Sequence, residues 1–233
     1  MPRSRTQKLG QHFLVDQSVL EKIVQACVLG KTETVCEAGT GTGVLTKEMC
    51  SRAGRVVSYE VDGQLFRQAK LMQIANLELV NRDLFREHDI EFDVFVSNLP
   101  YSKSRDAFEW LAARKFDRAI VMVQKEFAEK LCSRPGDKYY RAITTIASYC
   151  FAIEPLFEVG RDAFEPRPNV ESTVLKITPI RRVTEQHIKN ANLLFSKRNK
   201  KASTVAAKMG IDADFGQRRV FQLEPAEIMG LAG

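Results

Sequence analysis

The chain predicts an α/β fold: a doubly wound, mostly parallel sheet with an antiparallel edge, followed by a small helical C-terminal domain. Three observations carry this. Apolar, β-branched runs alternate with helix-like segments from about Ser18 to Gln124, the pattern of βα crossover units. A glycine-rich turn joins the first strand to the helix after it. Basic residues gather behind Pro179, beyond the last strand-like run.

In chain order, Ser18 to Ala26 reads as an N-terminal helix and Thr34-Val35-Cys36 as the first strand. That strand runs into Glu37-Ala38-Gly39-Thr40-Gly41-Thr42-Gly43, before a helix over Leu45-Thr46-Lys47-Glu48-Met49. Glycines at alternate positions let the backbone pass close to a ligand. In the dinucleotide fingerprint the third glycine comes three residues after the second, and a P-loop needs a lysine. Neither holds here, so phosphate binding is the weaker reading. The second strand, Arg55 to Tyr59, ends in Glu60, where a βαβ unit places a carboxylate that receives ribose hydroxyls. A nucleoside without phosphate fits these parts, and S-adenosylmethionine is one. Its candidate contacts are Glu37, Gly39, Gly41 and Glu60; the alternative is a purely structural turn, against which Glu60 weighs.

Leu77 to Val80 reads as a third strand with Asp83 after it. Asp83 is either part of a solvated loop or the acceptor for an adenine amino group whose ring lies between Val61 and Leu84. The run Val94-Phe95-Val96 then leads into Asn98-Leu99-Pro100-Tyr101. Pro100 fixes its own φ and biases Leu99 away from helix, so this turn is stiff. Ligands of parallel sheets bind outside the carboxyl ends of the strands. There the tetrapeptide offers an amide, a carbonyl and an aromatic face to a planar exocyclic amine, although Asn and Pro are also ordinary turn residues. Glu154 to Val159 and Thr173 to Thr178 predict later strands that complete the antiparallel edge, and Pro179 ends the last one.

These segments resemble the KsgA-type ribosomal RNA adenine dimethyltransferases nearly end to end. Gly10-Gln11-His12-Phe13-Leu14 resembles the family's Gly-Gln-Asn-Phe-Leu, which covers the cofactor and adds Gln11, His12 and Leu14 to its contacts. Glu37 to Thr46 resembles the glycine loop, Asn98 to Tyr101 the catalytic tetrapeptide, whose Asn98 is also an implied cofactor contact, and Val123-Gln124-Lys125-Glu126 the fifth-strand segment. Phe164 to Ser172 resembles the Phe-x-Pro-x-Pro-x-Val-x-Ser loop, and Leu194 to Lys201 a basic helix of the C-terminal domain. The resemblance implies a Rossmann-like class I methyltransferase that uses S-adenosylmethionine. Its implied target is a pair of adjacent adenosines near the 3′ end of small-subunit ribosomal RNA, each methylated twice in an assembly intermediate. His12 stands where the family has Asn, Thr40 where Pro is common, and Lys103 where an apolar residue is frequent. Lys103 is either solvated or meets a phosphate beside the target base.

In this reading Asn98, with the Leu99 or Pro100 carbonyl, accepts the amino hydrogens of adenine and frees its lone pair for in-line attack on a sulfonium methyl. Such acceptors act because they are fixed before reaction. Tyr101 stacks on one face of the flipped base and Phe164 closes the other; the alternative for Phe164 is a core anchor. Alignment matters more than acid or base strength, so no catalytic His or Cys is expected.

At 233 residues and 44% hydrophobic, the chain can bury an α/β core and carry a second small domain. Its net charge is +6, and between Arg181 and Arg219 ten Lys or Arg face three acids, so the basic surplus lies in the C-terminal part. The expected organisation is a basic arm over 1–10, a methyltransferase domain over 11–180 and a helical RNA-binding domain over 181–233. Candidate RNA contacts are Arg3, Arg5 and Lys8 in the arm, Lys103, and Lys197, Arg198, Lys200 and Lys201. Five cysteines without a C-x-x-C pair suggest packing residues in a reducing cytoplasm and no metal site. No apolar run approaches a membrane span. A monomer acting on small-subunit RNA or its precursor particle is expected.

Three alternatives stand beside this reading. One is a resistance-type methyltransferase of large-subunit RNA. Another is a methyltransferase of protein side-chain amides, which the basic C-terminal part disfavours. The third is an RNA-binding assembly or transcription factor without turnover.

Overall fold

The computed structural model describes residues 12–233. Gln11, Arg3, Arg5 and Lys8, and with them the expected arm, lie outside the described residues. Two compact units are distinguished. The first comprises the described residues up to Ser104 together with Lys115–Lys125 and Ile153–Thr178; the second comprises Arg105–Arg114, Glu126–Ala152 and Pro179–Gly233.

The first unit opens on β1 (Phe13–Leu14) and α1 (Gln17–Cys27). The side chain of Asp16 caps α1 by accepting from the Ser18 and Val19 N–H groups at 2.8 and 3.1 Å. Leu20, Ile23, Val24 and Cys27 form its buried stripe at helical spacing. The helix ends where Val28 turns left-handed at φ 48°. There Arg118 donates to the Cys27 and Val28 carbonyls at 2.8 and 2.7 Å while also pairing with Glu33. A guanidinium thus satisfies carbonyls that a helix end leaves open.

The main sheet is built from β2 (Thr34–Ala38), β3 (Arg55–Tyr59), β4 (Leu77–Val80), β5 (Val94–Asn98), β6 (Arg118–Gln124), β7 (Phe151–Val159) and β9 (Ser172–Pro179). Its order is β4-β3-β2-β5-β6-β9-β7, with β4 through β6 parallel and β9 antiparallel to β6. The central strands are buried on both faces, which explains their continuous apolar runs. At the edge, β7 carries Pro155, where a missing N–H costs least. The chain leaves β2 in one direction to form β3 and β4 and returns to form β5 and β6. A crevice therefore opens between the carboxyl ends of β2 and β5, the topological switch point.

The glycine loop runs into α2 (Val44–Cys50), and α3 (Gly63–Ala69) follows β3. One element had no signal in the sequence. β1 pairs antiparallel with β8 (Phe164–Glu165), placing Leu14 opposite Phe164. A two-residue strand has too little length to show a period.

In the second unit α4 (Ser104–Ala112), α5 (Lys125–Leu131), α6 (Ala142–Cys150), α7 (Glu185–Ser196), α8 (Ala202–Lys208) and α9 (Pro225–Ala232) supply the helical layers. Phe108 meets Phe127 and Phe151 edge-on, with ring centroids 5.5 and 6.2 Å apart. The fully buried Tyr140 packs against Phe195 and donates its hydroxyl to the Leu223 carbonyl at 3.2 Å. These aromatic anchors draw α4, α5 and α6 together with the segment after Pro179. Among the described residues no helix is long and apolar enough to cross a membrane, and no group of three or more His, Cys, Asp or Glu is placed to hold a metal.

Candidate active site

The crevice at the switch point is a cleft with about 1070 Å³ of atom-free space, the open mouth included. Its walls come from the β1 segment, the glycine loop and the residues after β3, β4 and β5, all within the first unit.

The floor is an acid network. Glu37, at 1% exposure, accepts from the Ser58 and Thr46 hydroxyls on Oε2 at 2.5 and 2.6 Å, and Thr40 joins through Ser58 at 2.6 Å. Its other oxygen is buried and has no hydrogen-bond partner among the described residues. Burial pushes the Glu37 carboxyl up to about 8, against the lowering influence of the two hydroxyls. A buried acceptor in a polar floor is suited to a cationic ligand group, whose charge would hold Glu37 ionised.

Glu60 is equally buried, and each of its oxygens accepts a backbone N–H: Gly41 at 2.9 Å and Asp62 at 2.8 Å. A carboxylate has about four acceptor positions, so Glu60 can hold the glycine loop in place and still receive hydroxyls. Gly43 sits at φ +80°, and a Cβ there would meet Met72 Sδ at 2.8 Å. Gly41 sits at φ +56° with the Phe13 ring 3.4 Å from where its Cβ would be. The left-handed backbone favours glycine at both positions; a side chain at Gly43 would also push the Met72 side chain aside, whereas at Gly41 it would meet Phe13 at ordinary contact distance. Gly39, at φ +87°, donates its N–H to the Tyr59 carbonyl at 2.8 Å.

At the other wall Asp83 accepts the Phe85 N–H at 3.1 Å. Leu84 is buried at 2% exposure beside it, whereas Val61 is 59% exposed at the rim, so the two apolar faces differ in depth. Lys103 turns its ammonium to Asp83, Nζ to Oδ2 at 3.3 Å.

The stiff turn closes the cleft. Asn98 ends β5, and its side-chain nitrogen donates to the His12 carbonyl at 3.2 Å. Leu99 is buried, with its N–H on the Met122 carbonyl. The Pro100 carbonyl accepts the Lys103 N–H at 2.7 Å, closing a short 3-10 turn over Tyr101–Lys103. Tyr101 Oη lies 3.1 Å from Ser172 Oγ, and burial raises its phenol above the ordinary value. His12 Nδ1 lies 2.7 Å from the Pro166 carbonyl and must donate to it; its ring lies 5.5 Å from that of Tyr101. Leu14 and Phe164 are both buried, and both belong to the core cluster while lining the cleft. Phe164 is thus a core anchor and a cavity wall at once.

The structure therefore gathers His12, Leu14, Glu37, Gly39, Gly41, Glu60, Val61, Asp83, Leu84, Asn98, Leu99, Pro100, Tyr101, Lys103 and Phe164 around one cleft. Sequence reasoning missed Phe13, Tyr59, Arg82 and Phe85 as lining residues, and Thr46 and Ser58 as partners of Glu37. Phe13 was within reach, since it lies inside the Gly10 to Leu14 segment. The two hydroxyls carried no local pattern.

The basic C-terminal segment differs from its expected form. Lys197, Arg198, Lys200 and Lys201 do not stand on one helix: α7 ends at Ser196, α8 begins at Ala202, and a turn closed by Lys200 N–H to Lys197 carbonyl at 2.8 Å joins them. Four cations in five residues repel along a helix face, and a turn separates them. Lys197, Lys200 and Lys201 are exposed. Arg198 is half-buried over the Phe221 ring at 5.0 Å.

Comparison with known proteins adds relatives to this geometry. Residues 3–222 match the profile of the family described as ribosomal RNA adenine dimethylase. The chain is similar to ribosomal RNA small subunit methyltransferase A of Thermotoga maritima, with 34% identity covering 96% of this chain and 82% of the relative. It is similar also to the probable ribosomal RNA small subunit methyltransferase A of Thermococcus gammatolerans, with 32% identity covering 96% and 86%. Among solved structures, a dimethyladenosine transferase from Plasmodium falciparum superposes with TM-score 0.76 at 23% identity, covering 94% of this chain and 96% of that one. The 23S rRNA methyltransferase ErmE superposes with TM-score 0.64 at 26% identity, covering 94% and 99%.

Proposed function

The chain belongs to the ribosomal RNA adenine dimethylase family, and we propose that its cleft transfers methyl groups from S-adenosylmethionine to N6 of two adjacent adenosines near the 3′ end of small-subunit ribosomal RNA. It is an rRNA adenine dimethyltransferase with a class I methyltransferase fold. The observation that carries the residue-level reading is the convergence of the Asn98–Tyr101 turn with Glu37 and Glu60 on one cleft.

S-adenosylmethionine supplies an electrophilic methyl on a sulfonium. In this proposal Glu37 takes the ligand's ammonium through its unpartnered oxygen, Glu60 its ribose hydroxyls, and Asp83 its adenine amino group. Val61 and Leu84 flank that ring, Gly39 and Gly41 allow close backbone approach, and Gln11, His12 and Leu14 form the cover.

The amino nitrogen of the target adenine is a poor nucleophile because its lone pair is delocalised into the ring. The Asn98 oxygen accepts one amino hydrogen. The Leu99 carbonyl is the better second acceptor, because the Pro100 carbonyl already accepts the Lys103 N–H. Two fixed acceptors favour a pyramidal nitrogen with its lone pair turned toward the donor. Tyr101 and Phe164 hold the base from either face. A base must leave its stack to reach them, which costs a few kcal/mol and less from a loop or single strand.

The finer parts of the proposal are a precursor small-subunit particle as substrate, phosphate contacts through Arg3, Arg5, Lys8 and the exposed lysines of the turn between α7 and α8, and a monomer working in the cytoplasm. Residues 181–233 would serve as the RNA-binding portion. The test is transfer of labelled methyl groups to small subunits that lack the modification, with mapping of the modified nucleosides. Label on two neighbouring adenosines of small-subunit RNA is expected. Label confined to large-subunit RNA would favour the resistance-type alternative, and RNA binding without label would mean an assembly factor.

A further inference from the structure

Lys103 is the departure from the family pattern that the proposed function does not absorb. It occupies the last position of the turn that follows Asn98–Tyr101, and its backbone N–H closes that turn on the Pro100 carbonyl at 2.7 Å. Its ammonium does not simply project into solvent: Nζ lies 3.3 Å from Asp83 Oδ2, with side-chain exposures of 38% and 23%. The second Asp83 oxygen is held by the Phe85 N–H at 3.1 Å. Arg86 stands farther off, 3.9 Å from Oδ2 and 86% exposed, so Lys103 is the nearer and better sheltered of these two cations.

A half-exposed pair of this kind adds little to stability. What it changes is orientation. With one oxygen on a backbone N–H and the other on an ammonium, the Asp83 carboxylate is restrained, while Oδ2 keeps acceptor capacity toward the cleft. The same contact ties the loop after β4 to the turn after β5.

We infer that Lys103 is a positioning residue of the cofactor's adenine subsite, holding Asp83 so that it accepts from a 6-amino purine, and that it thereby sets discrimination against a 6-oxo purine. This rests on the cofactor reading proposed above. It assigns Lys103 a partner inside the cleft in place of an RNA phosphate. A loose carboxylate would still repel a 6-oxo group but would accept an amino hydrogen less well, so removing the ammonium weakens binding of the amino ligand selectively.

The probes are S-adenosylhomocysteine and S-inosylhomocysteine, titrated calorimetrically into the wild type, Lys103→Met and Lys103→Arg, with RNA affinity measured against salt in parallel. The wild type should prefer the adenosyl ligand. Lys103→Met should lose about tenfold of that affinity, the scale of a hydrogen bond involving a charged group, with binding of the inosyl ligand unchanged. Lys103→Arg should restore the preference. An undiminished preference in Lys103→Met would overturn the inference. So would a salt slope reduced by about one with adenosyl affinity intact, the mark of a phosphate contact. A wild type that binds neither ligand would overturn the cofactor reading itself, and this inference with it.

Discussion

The side-chain nitrogen of Asn98 donates to the main-chain carbonyl of His12 at 3.2 Å. Since a carbonyl cannot donate, this contact orients the amide and directs its oxygen away from His12. The His12 backbone thereby sets which end of the Asn98 amide is available as an acceptor.

Asn98→Ala removes that acceptor while leaving the cofactor walls intact. Methyl transfer should fall about 10²- to 10³-fold, as for loss of one preorganised polar group. Affinity for S-adenosylhomocysteine and for RNA should persist. Single-turnover kinetics beside calorimetry would check it, and a rate within a few fold of wild type removes Asn98 from its role.

Tyr101→Phe and Tyr101→Ala separate ring from hydroxyl. The Phe variant loses the contact with Ser172 and should stay active. The Ala variant loses the stack, about 1–3 kcal/mol per base, and should bind target RNA more weakly. Equal behaviour of the two would point to the hydroxyl instead.

Glu60→Ala removes the proposed ribose acceptor and the carboxylate that anchors the Gly41 and Asp62 N–H groups. Cofactor affinity should drop by at least about tenfold. Calorimetry that finds no loss would place the ribose elsewhere.

Glu37 makes stability depend on pH with a definite sign. Its carboxyl titrates at about 8 in the folded protein against 4.5 ordinarily, so the folded state binds the proton more tightly. That contribution is complete below about 4.5 and is lost as pH rises through 8. Glu37→Gln keeps an acceptor for Ser58 and Thr46 and does not titrate. Denaturation of ligand-free protein should show the variant gaining on wild type as pH rises through this window, and parallel pH profiles would reject it.

Replacing Lys197, Lys200 and Lys201 with Gln should weaken RNA binding and flatten its dependence on salt, by roughly 0.7 in slope per phosphate contact on a single strand. Arg198 is left in place because its half-buried packing on Phe221 would confound the result. An unchanged slope would mean the turn between α7 and α8 is merely solvated.

Much of the fold was legible because its signals are local. The buried parallel strands announce themselves as apolar runs, and Glu37, Glu60, Asp83 and Asn98 follow four successive strand ends or close upon them. A parallel topology delivers such ends to one edge. The basic helix expected over Leu194 to Lys201 was misread because composition reports charge but not whether a helix can carry it.

The sequence by itself determined the strand and helix alternation, the glycine turn, the stiff tetrapeptide and the chemical character of the cleft, because each is encoded within a few neighbouring residues. The tertiary structure alone decided which oxygen of Glu37 stays unpartnered, that Leu14 pairs with Phe164, and that Lys103 faces Asp83. Those facts join residues 9 to 150 positions apart, and a chain written in one dimension carries no spacing from which such encounters can be read.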